Sequence, residues 1–321
     1  MSLTAAIRTV SRVGIWLGSV VAPPYREIRA SSDTGGSAVS PGLAFEAGNF
    51  DPDRMTGQST LDESAQDTNT FYRRTLHVLS DAAVPFLVGG SHAFLEYTGI
   101  VRNTKDFDLF LRRHDLDRAM RALHDAGYRS ELTFPHWLGK AWQHDDFVDL
   151  VFNSGNGVCP VDDGWFDHAV ETQVLGMPVK IVPCEELLWQ KTFIMERERF
   201  DGADIMHILR ARADSMEWGR LLERFGERWP LLYSYLVLFT FVYPSDAGRL
   251  PAAVMDDLAA RHLALRTTPP NDRVCGGTLV SRGQYLIDIG QYGYADARLA
   301  PRGGMSAEDA IFWTWAIDHI K

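Results

Sequence analysis

The sequence predicts an α/β (α+β) fold in which a small mixed sheet with helices is followed by a helical C-terminal region. Between residues 70 and 213, short apolar runs bounded by glycine, asparagine or serine alternate with segments of helical periodicity. After Ser215 the segments are longer and helical. We therefore expect three parts. Residues 1–69 form an N-terminal segment and flexible linker, residues 70–213 form the domain with the sheet, and residues 214–321 form a mainly helical region.

The composition is that of an ordinary globular protein and carries a net negative charge. The 321 residues are 45% hydrophobic and 23% charged, with a formal charge of -10. No long run of Lys or Arg is present, which argues against a large electrostatic footprint on nucleic acid and leaves room for a local basic groove. Cys159, Cys184 and Cys275 are odd in number and lack metal-type spacing, which indicates thiols in a reducing cytoplasm.

The N-terminal segment contains an apolar stretch, "VGIWLGSVVAPP", that follows Arg8 and Arg12. It is shorter than the ~20 residues that span a bilayer, and no small-x-small cleavage site stands out. We expect a cytoplasmic protein without a membrane span. From Ser31 to Asn69 the chain is rich in Ser, Gly, Asp and Thr without apolar periodicity, which predicts a linker.

Ordered structure is predicted from Thr70 onward. "FYRRTLHVLSDA" has helical spacing, and "VPFLVGG" is a buried strand that ends in glycines. "SHAFLEYTG" is a short helix with Ser91 as its N-cap and Gly99 as its stop. "HDLDRAMRALHDAGY" is a helix with Asp115 as its N-cap and Gly127 at its end. Further strands are predicted in "DFDLFLR", "RSELTF", "GKAWQH", "FVDLVFNSG" and "PVKIVP".

The second half of the chain is predicted to be helical. The helices are expected in "EELLWQKTFIMERE", "DGADIMHILRARA", "MEWGRLLERFGERW", "LLYSYLVLFTFVY" and "DAIFWTWAIDHI". The fourth of these is apolar all round but short, which favours a buried core helix over a membrane span.

Three features of the predicted sheet point to one site. Gly89 and Gly90 directly precede a helix start, where backbone N–H groups attract phosphate. Asp106 and Asp108 lie two residues apart at the start of a strand, so their side chains share one face. Asp149 is a lone acid in an otherwise apolar strand.

The three carboxylates suit a divalent metal if their strands are neighbours. Mg²⁺ prefers oxygen ligands, and two such ions about 4 Å apart can clamp the attacking and leaving oxygens of a phosphoryl displacement. Mn²⁺ is an alternative. The cations would also explain why the repulsion between the acids is tolerated. The alternative is a set of solvated acids at a strand edge.

The stretch "FLVGGSHAFLEYTGIVRNTKDFDLFL", followed by the acid in "VDLVF", resembles the nucleotidyltransferase superfamily that includes DNA polymerase beta. The variant with R-x-T-x-D-x-D is similar to minimal bacterial nucleotidyltransferases, including the AbiEii-type toxins. In that group a later helix carries a Lys followed by Asp-x-x-Asp, and here "EELLWQKTFIMERERFDGADI" supplies Lys191, Asp201 and Asp204. The resemblance covers about residues 71–213 and implies a nucleotidyltransferase core.

The resemblance also implies roles for individual residues. Asp106 and Asp108 would bind both metals, and Asp149 would bind the catalytic metal and serve as base for the acceptor hydroxyl. The residues implied to bind the nucleotide are Gly89, Gly90, Ser91, Arg102, Thr104 and Lys191. For Arg102, Thr104 and Lys191 a structural role is the alternative. Asp201 and Asp204 are expected to pair with Arg197, Arg199 or Lys191.

The implied reaction is the transfer of a nucleoside monophosphate from a nucleoside triphosphate to an acceptor hydroxyl, with release of pyrophosphate. The acceptor is left open between an RNA 3′ end (tRNA included), a small molecule and a protein side chain. The alternative function is a non-catalytic nucleotide sensor or a toxin–antitoxin component, with an antitoxin as partner.

Overall fold

The computed structural model describes residues 55–102 and 106–319, with side chains described from residue 68 to 317. The apolar stretch at residues 13–24 and the linker predicted between Ser31 and Arg54 lie outside the described residues. No helix of the described segments combines the length and the apolar character that crossing a bilayer requires.

Helices account for half of the described chain. We number them α1 to α12: Met55–Asp81, Gly90–Thr98, Leu116–Asp125, Asp163–Asp167, Cys184–Thr192, Gly202–Arg212, Trp218–Phe225, Trp229–Val242, Ala252–Thr267, Gly277–Val280, Leu286–Gly290 and Ala307–His319. The strands are β1 to β9: Leu87–Val88, Asp108–Phe110, Arg129–Phe134, Leu138–Gln143, Asp146–Val151, Val170–Val174, Met177–Ile181, Val274–Cys275 and Ala295–Asp296.

The first seven strands form one mixed sheet in the order β3-β4-β5-β2-β1-β7-β6. β2 pairs with β5 and β1 pairs with β7 in parallel, and the other neighbours are antiparallel. Parallel pairing requires a crossover, so the β3–β4 hairpin with α3 separates β2 from β5 in the chain. The predicted α/β class with a small mixed sheet is confirmed.

The core forms where helices cover the centre of this sheet. Leu87, Leu109, Leu150 and Ile181, one from each of the four central strands β1, β2, β5 and β7, are fully buried. Full burial of each such side chain contributes roughly 1.5–3 kcal/mol. These apolar positions fix the register and therefore decide which residues of β2 and β5 face the other way.

Helix α1 begins at Met55, so the linker predicted up to Asn69 was wrong for residues 55–69. The residues after Thr70 pack on the core, with Leu76 and Leu79 fully buried. Extending an existing helix adds one hydrogen bond per residue without a new nucleus, which lets polar residues continue it. The Thr68 hydroxyl also donates to the Asp146 carboxylate (2.9 Å).

Two further predictions need correction. Ser91 is not an N-cap, because α2 begins one residue earlier and Gly89 holds the cap position. Asp115 does hold the cap position of α3, but its carboxylate accepts hydrogen bonds from Arg112 and Arg118 instead of capping the helix. Strands β6, β8 and β9 and helices α4, α9, α10 and α11 were not predicted.

The C-terminal region packs against the sheet and against the segment after α5. The Trp313 ring of α12 lies edge-on to Phe134 (4.9 Å between centroids) and to Trp137 (5.3 Å) on the β3–β4 hairpin. The Ser281 hydroxyl donates to the Glu196 carboxylate (2.6 Å). The segment near residues 281–282 therefore adjoins the chain that leads to Arg199.

Glu186 of α5 is a fully buried carboxylate that contacts Arg220 (2.5 Å) and Arg224 (2.9 Å) of α7. Removing its charge leaves two guanidinium groups without one of their partners. We expect Glu186→Gln to lower the free energy of unfolding by about 2–3 kcal/mol in urea denaturation. The control is Glu171→Gln, whose 82% exposed side chain lies 3.8 Å from Lys180. Its effect should stay below about 0.5 kcal/mol. Equal effects would contradict this account of the buried cluster.

Candidate active site

Strands β2 and β5 place two of the predicted acids side by side. Asp108 and Asp149 are direct register partners in the parallel pair, so both side chains lie on the same face of the sheet. The pairing continues one residue earlier, where the Asp149 N–H donates to the Phe107 carbonyl (2.9 Å). Alternation puts exposed Asp106 on that face as well. The three acids that the sequence proposes as partners therefore converge on one face.

The glycine turn closes against Asp108. The Gly89 N–H donates to the Asp108 carbonyl (2.9 Å), and Gly90 opens α2 with φ +54°. A Cβ built on Gly90 would lie 1.9 Å from Asp108 Oδ2. The turn therefore touches the carboxylate, and a side chain at residue 90 would displace it. Ser91 follows in the first turn of α2, beside the N-terminal N–H groups.

The carboxylates perturb one another. Burial, and after it the charges of Asp149 and Asp106, raise the pKa of Asp108, and Arg199 and Lys191 oppose the rise, with a net pKa of about 7. Burial also raises the pKa of Asp149, and Lys140 opposes that shift. The metal-free site thus disfavours full ionisation of its acids, as expected of a place where positive charge is to arrive.

Lys140 is a site residue that the sequence analysis missed. Its ammonium lies 2.6 Å from Asp149 Oδ1 and 4.3 Å from the centre of the Phe147 ring, and its side chain is only 7% exposed. This contact with Asp149 is a buried ion pair. The tight turn at His144, where φ is +56°, pairs Gln143 with Asp146. Counting outward from that turn would have paired Lys140 with Asp149.

A second charged cluster lies next to the acids. The Lys191 ammonium donates to Asp201 (3.0 Å) and Asp204 (2.7 Å). Arg199 also binds Asp201 (3.0 Å), and Arg102 pairs with Asp204. The structure therefore contains the pairing of Asp201 and Asp204 with Lys191 and Arg199 that the sequence suggested. Arg199 is close enough to Asp106 and Asp108 for their charges to raise its pKa.

The structure does not place Arg102 and Thr104, the other two predicted nucleotide-binding residues, as expected. Arg102, predicted at the nucleotide, is 41% exposed and has Asp204 as its partner. Thr104 lies outside the described residues. Within residues 55–102 and 106–319, no three Asp, Glu, His or Cys side chains converge tightly enough to form a metal centre on their own. A physical reason is visible in Asp149, whose Oδ1 is held by Lys140.

No protein-family model matches the chain, and no curated protein matches it. Among solved structures, the chain is similar to the antibiotic-resistance factor ANT(2'')-Ia (15% identity, 63% of this chain and 96% of that one, TM-score 0.32). It is also similar to the lincosamide antibiotic adenylyltransferase LnuA (18% identity, 44% of this chain and 94% of that one, TM-score 0.32). A third similar structure is that of an antigenic nucleotidyltransferase-like protein from Paracoccidioides brasiliensis (16% identity, 60% of this chain and 97% of that one, TM-score 0.38). At this level of likeness, the function of the chain has to be argued from its own residues.

The raised pKa of Asp108 makes a prediction about stability. The folded chain holds this proton more tightly than the unfolded chain, whose aspartates titrate near pH 4. The contribution of Asp108 to the free energy of unfolding is therefore largest below pH 4. That contribution should be lost as the pH rises from about 4 to about 7. We expect Asp108→Asn to raise the metal-free free energy of unfolding at pH 8 by about 2 kcal/mol and to change it little at pH 4. Urea denaturation in EDTA measures both.

The control for this prediction is Asp117→Asn, whose side chain is 71% exposed beside Arg113. It should leave the pH dependence of the free energy of unfolding unchanged. If Asp108→Asn destabilised the chain at pH 8 as much as at pH 4, the electrostatic account of the site would be wrong.

Proposed function

We propose that this chain is a metal-dependent nucleotidyltransferase, which moves a nucleoside monophosphate from a nucleoside triphosphate to an acceptor hydroxyl and releases pyrophosphate. The observation that supports this best is the position of Asp108. Its carboxylate lies between the glycine turn at Gly90 and the acids Asp106 and Asp149, all on one face. This arrangement puts carboxylate ligands for a cation beside a backbone cradle for phosphate.

The triphosphate would bind between the glycine turn and the cationic cluster. Gly89, Gly90 and Ser91 supply backbone N–H groups at the start of α2, where the helix dipole favours negative charge. Lys191 and Arg199 lie near the acids, close enough for their charges to oppose the rise in the pKa of Asp108. Because Lys191 is held by two carboxylates, it would act as a fixed point charge. The more exposed Arg199 donates to Asp201 from Nε and Nη2, which leaves its Nη1 to donate to a phosphate.

The donor set fits Mg²⁺, with Mn²⁺ as a substitute. Mg²⁺ is commonly held by one or two carboxylates together with substrate phosphates. Asp106 and Asp108 would hold it. The burial and crowding that raise the pKa of Asp108 are a cost that a bound cation relieves. When bound, the ion would neutralise negative charge on the phosphates.

The chain's own groups would then position the reactants. The acceptor hydroxyl oxygen forms a bond to the α-phosphorus, the bond from that phosphorus to the bridging oxygen breaks, and pyrophosphate leaves. The proton of the hydroxyl goes to the Asp149 carboxylate. Lys191 and Arg199 would stabilise charge on the departing pyrophosphate, so that positioning and electrostatics supply the rate.

The acceptor class is the part of the proposal that an assay has to decide. The surroundings of the site carry exposed charges of both signs: Arg199 lies near exposed Asp106, and exposed Arg102 pairs with Asp204 of the neighbouring cluster. An RNA 3′ end, tRNA included, would use the arginines, and a cationic small molecule would use the acids. A protein side chain is the third class, and an antitoxin would be a partner if the chain is a toxin.

The test is an assay of pyrophosphate release from each labelled nucleoside triphosphate with Mg²⁺, against RNA, cationic small molecules and protein acceptors. We expect release with one acceptor class and one preferred nucleotide. Asp106→Ala and Asp108→Ala should each lower the rate at least about 100-fold because the charge stabilisation of the transition state is lost. Asp117→Ala is the surface control. Nucleotide binding without release, and indifference to Asp106→Ala, would support a sensor and overturn the enzyme.

Substitution of Arg199 should mainly change KM for the nucleotide, whereas substitution of Lys191 should mainly change stability. Arg199→Ala removes a 57% exposed guanidinium, and we expect KM for the nucleotide to rise about tenfold with little loss of stability. Lys191→Ala leaves Asp201 and Asp204 buried without their shared cation, which should lower the free energy of unfolding by about 3 kcal/mol. Thermal unfolding and steady-state kinetics measure both. Arg113→Ala is the control, because the Arg113 side chain is 52% exposed beside Asp117, and it should change neither KM nor stability.

A further inference from the structure

A row of charged residues crosses the sheet from its edge to the glycine turn. In β3, β4, β5 and β2 the residues in register are Glu131, Lys140, Asp149 and Asp108. Register partners share a face, so the row lies on the same side of the sheet as the proposed reaction. The ammonium of Lys140 therefore belongs to the site.

Lys140 is placed where it cannot act as an ordinary surface lysine. Its side chain is 7% exposed, and that of Asp149 is 15% exposed. The ammonium is 2.6 Å from Asp149 Oδ1 and stands over the Phe147 ring at 4.3 Å. A lysine that is taken out of water needs a counter-charge close by, and Asp149 provides it. The pair is thus a fixed part of the sheet.

We propose that Lys140 is a resident cation of the site, so that the chain takes a single divalent ion, at Asp106 and Asp108, where the resemblance to polymerase beta implies two. This inference rests on the proposed function and refines it. A second divalent ion on Asp149 would sit beside an ammonium that already holds the same carboxylate, and the two cations would repel each other. Releasing Lys140 to make room would leave a buried ammonium without its partner.

Lys140 is in this account a positioning residue, because it acts through Asp149. It keeps Asp149 Oδ1 occupied and supplies next to the acids the positive charge that a second ion would otherwise bring. The three acids share one face but do not by themselves form a metal centre within the described part of the chain. The charge of Lys140 replaces an ion that would have to be recruited from solution.

The test counts ions without using catalysis. The full chain is titrated with Mn²⁺ in the presence of a non-hydrolysable nucleoside triphosphate analogue, with bound Mn²⁺ followed by electron paramagnetic resonance. We expect one Mn²⁺ per wild-type chain, beyond that bound by the analogue alone, with no coupling between Mn²⁺ ions. Lys140→Met frees Asp149, and we expect a second Mn²⁺ with spectral coupling between the two. Lys180→Met, on the same sheet at an exposed pair with Glu171, should stay at one.

Further variants separate the outcomes. Lys140→Arg keeps the charge and should stay at one ion, and Asp149→Asn should leave the affinity of that ion nearly unchanged. Asp108→Asn should weaken it at least about tenfold. Two coupled ions in the wild-type chain would overturn the inference and leave the proposed function standing. One ion in a folded Lys140→Met variant would also overturn it. No bound ion in the wild-type chain would overturn both. If Lys140→Met does not fold, the number of Mn²⁺ ions bound by the wild-type chain and the Mn²⁺ affinity of Asp149→Asn still test the inference.

Discussion

The structure depends on one unfavourable contact: carboxylates held together on one face of a sheet, one of them against a glycine. The register of β2 with β5 sets Asp108 beside Asp149, and Gly90 leaves Asp108 only enough space because it has no side chain. An arrangement that raises the pKa of an aspartate to about 7 costs folding free energy. Such a cost is expected at functional sites, where the core elsewhere compensates for it.

The remainder of the fold supports this arrangement. Fully buried apolar residues of β2 and β5 lock the register from the opposite face, so the acids have no alternative orientation. Charged pairs then stiffen the surroundings, with Lys140 on Asp149 and Lys191 on Asp201 and Asp204. These pairs place positive charges close to the acids. In the proposed function, these charges would already be in place when a negatively charged substrate binds.

Much of this site could be predicted from local sequence. Strand alternation alone puts Asp106 and Asp108 on one face, and a Gly-Gly pair before a helix indicates a turn that can approach phosphate. Lys140 was missed, and Arg199 was expected only as a partner of Asp201 or Asp204, because their positions beside the acids depend on pairing between distant residues. The hairpin turn at His144 could have predicted that Lys140 pairs with Asp149, because the turn sets the register of the two strands. Residues 55–69 were misjudged because polar composition was interpreted as linker, although they extend a helix that nucleates on buried residues.

The most direct test of the account is a crystal structure of the chain with Mg²⁺ and a non-hydrolysable nucleoside triphosphate analogue. The account predicts the triphosphate on the Gly89–Gly90 turn, a metal ion on Asp106 and Asp108, and the α-phosphate on the side of Asp149. A nucleotide bound elsewhere, or a turn closed over Asp108 with no ion, would contradict it.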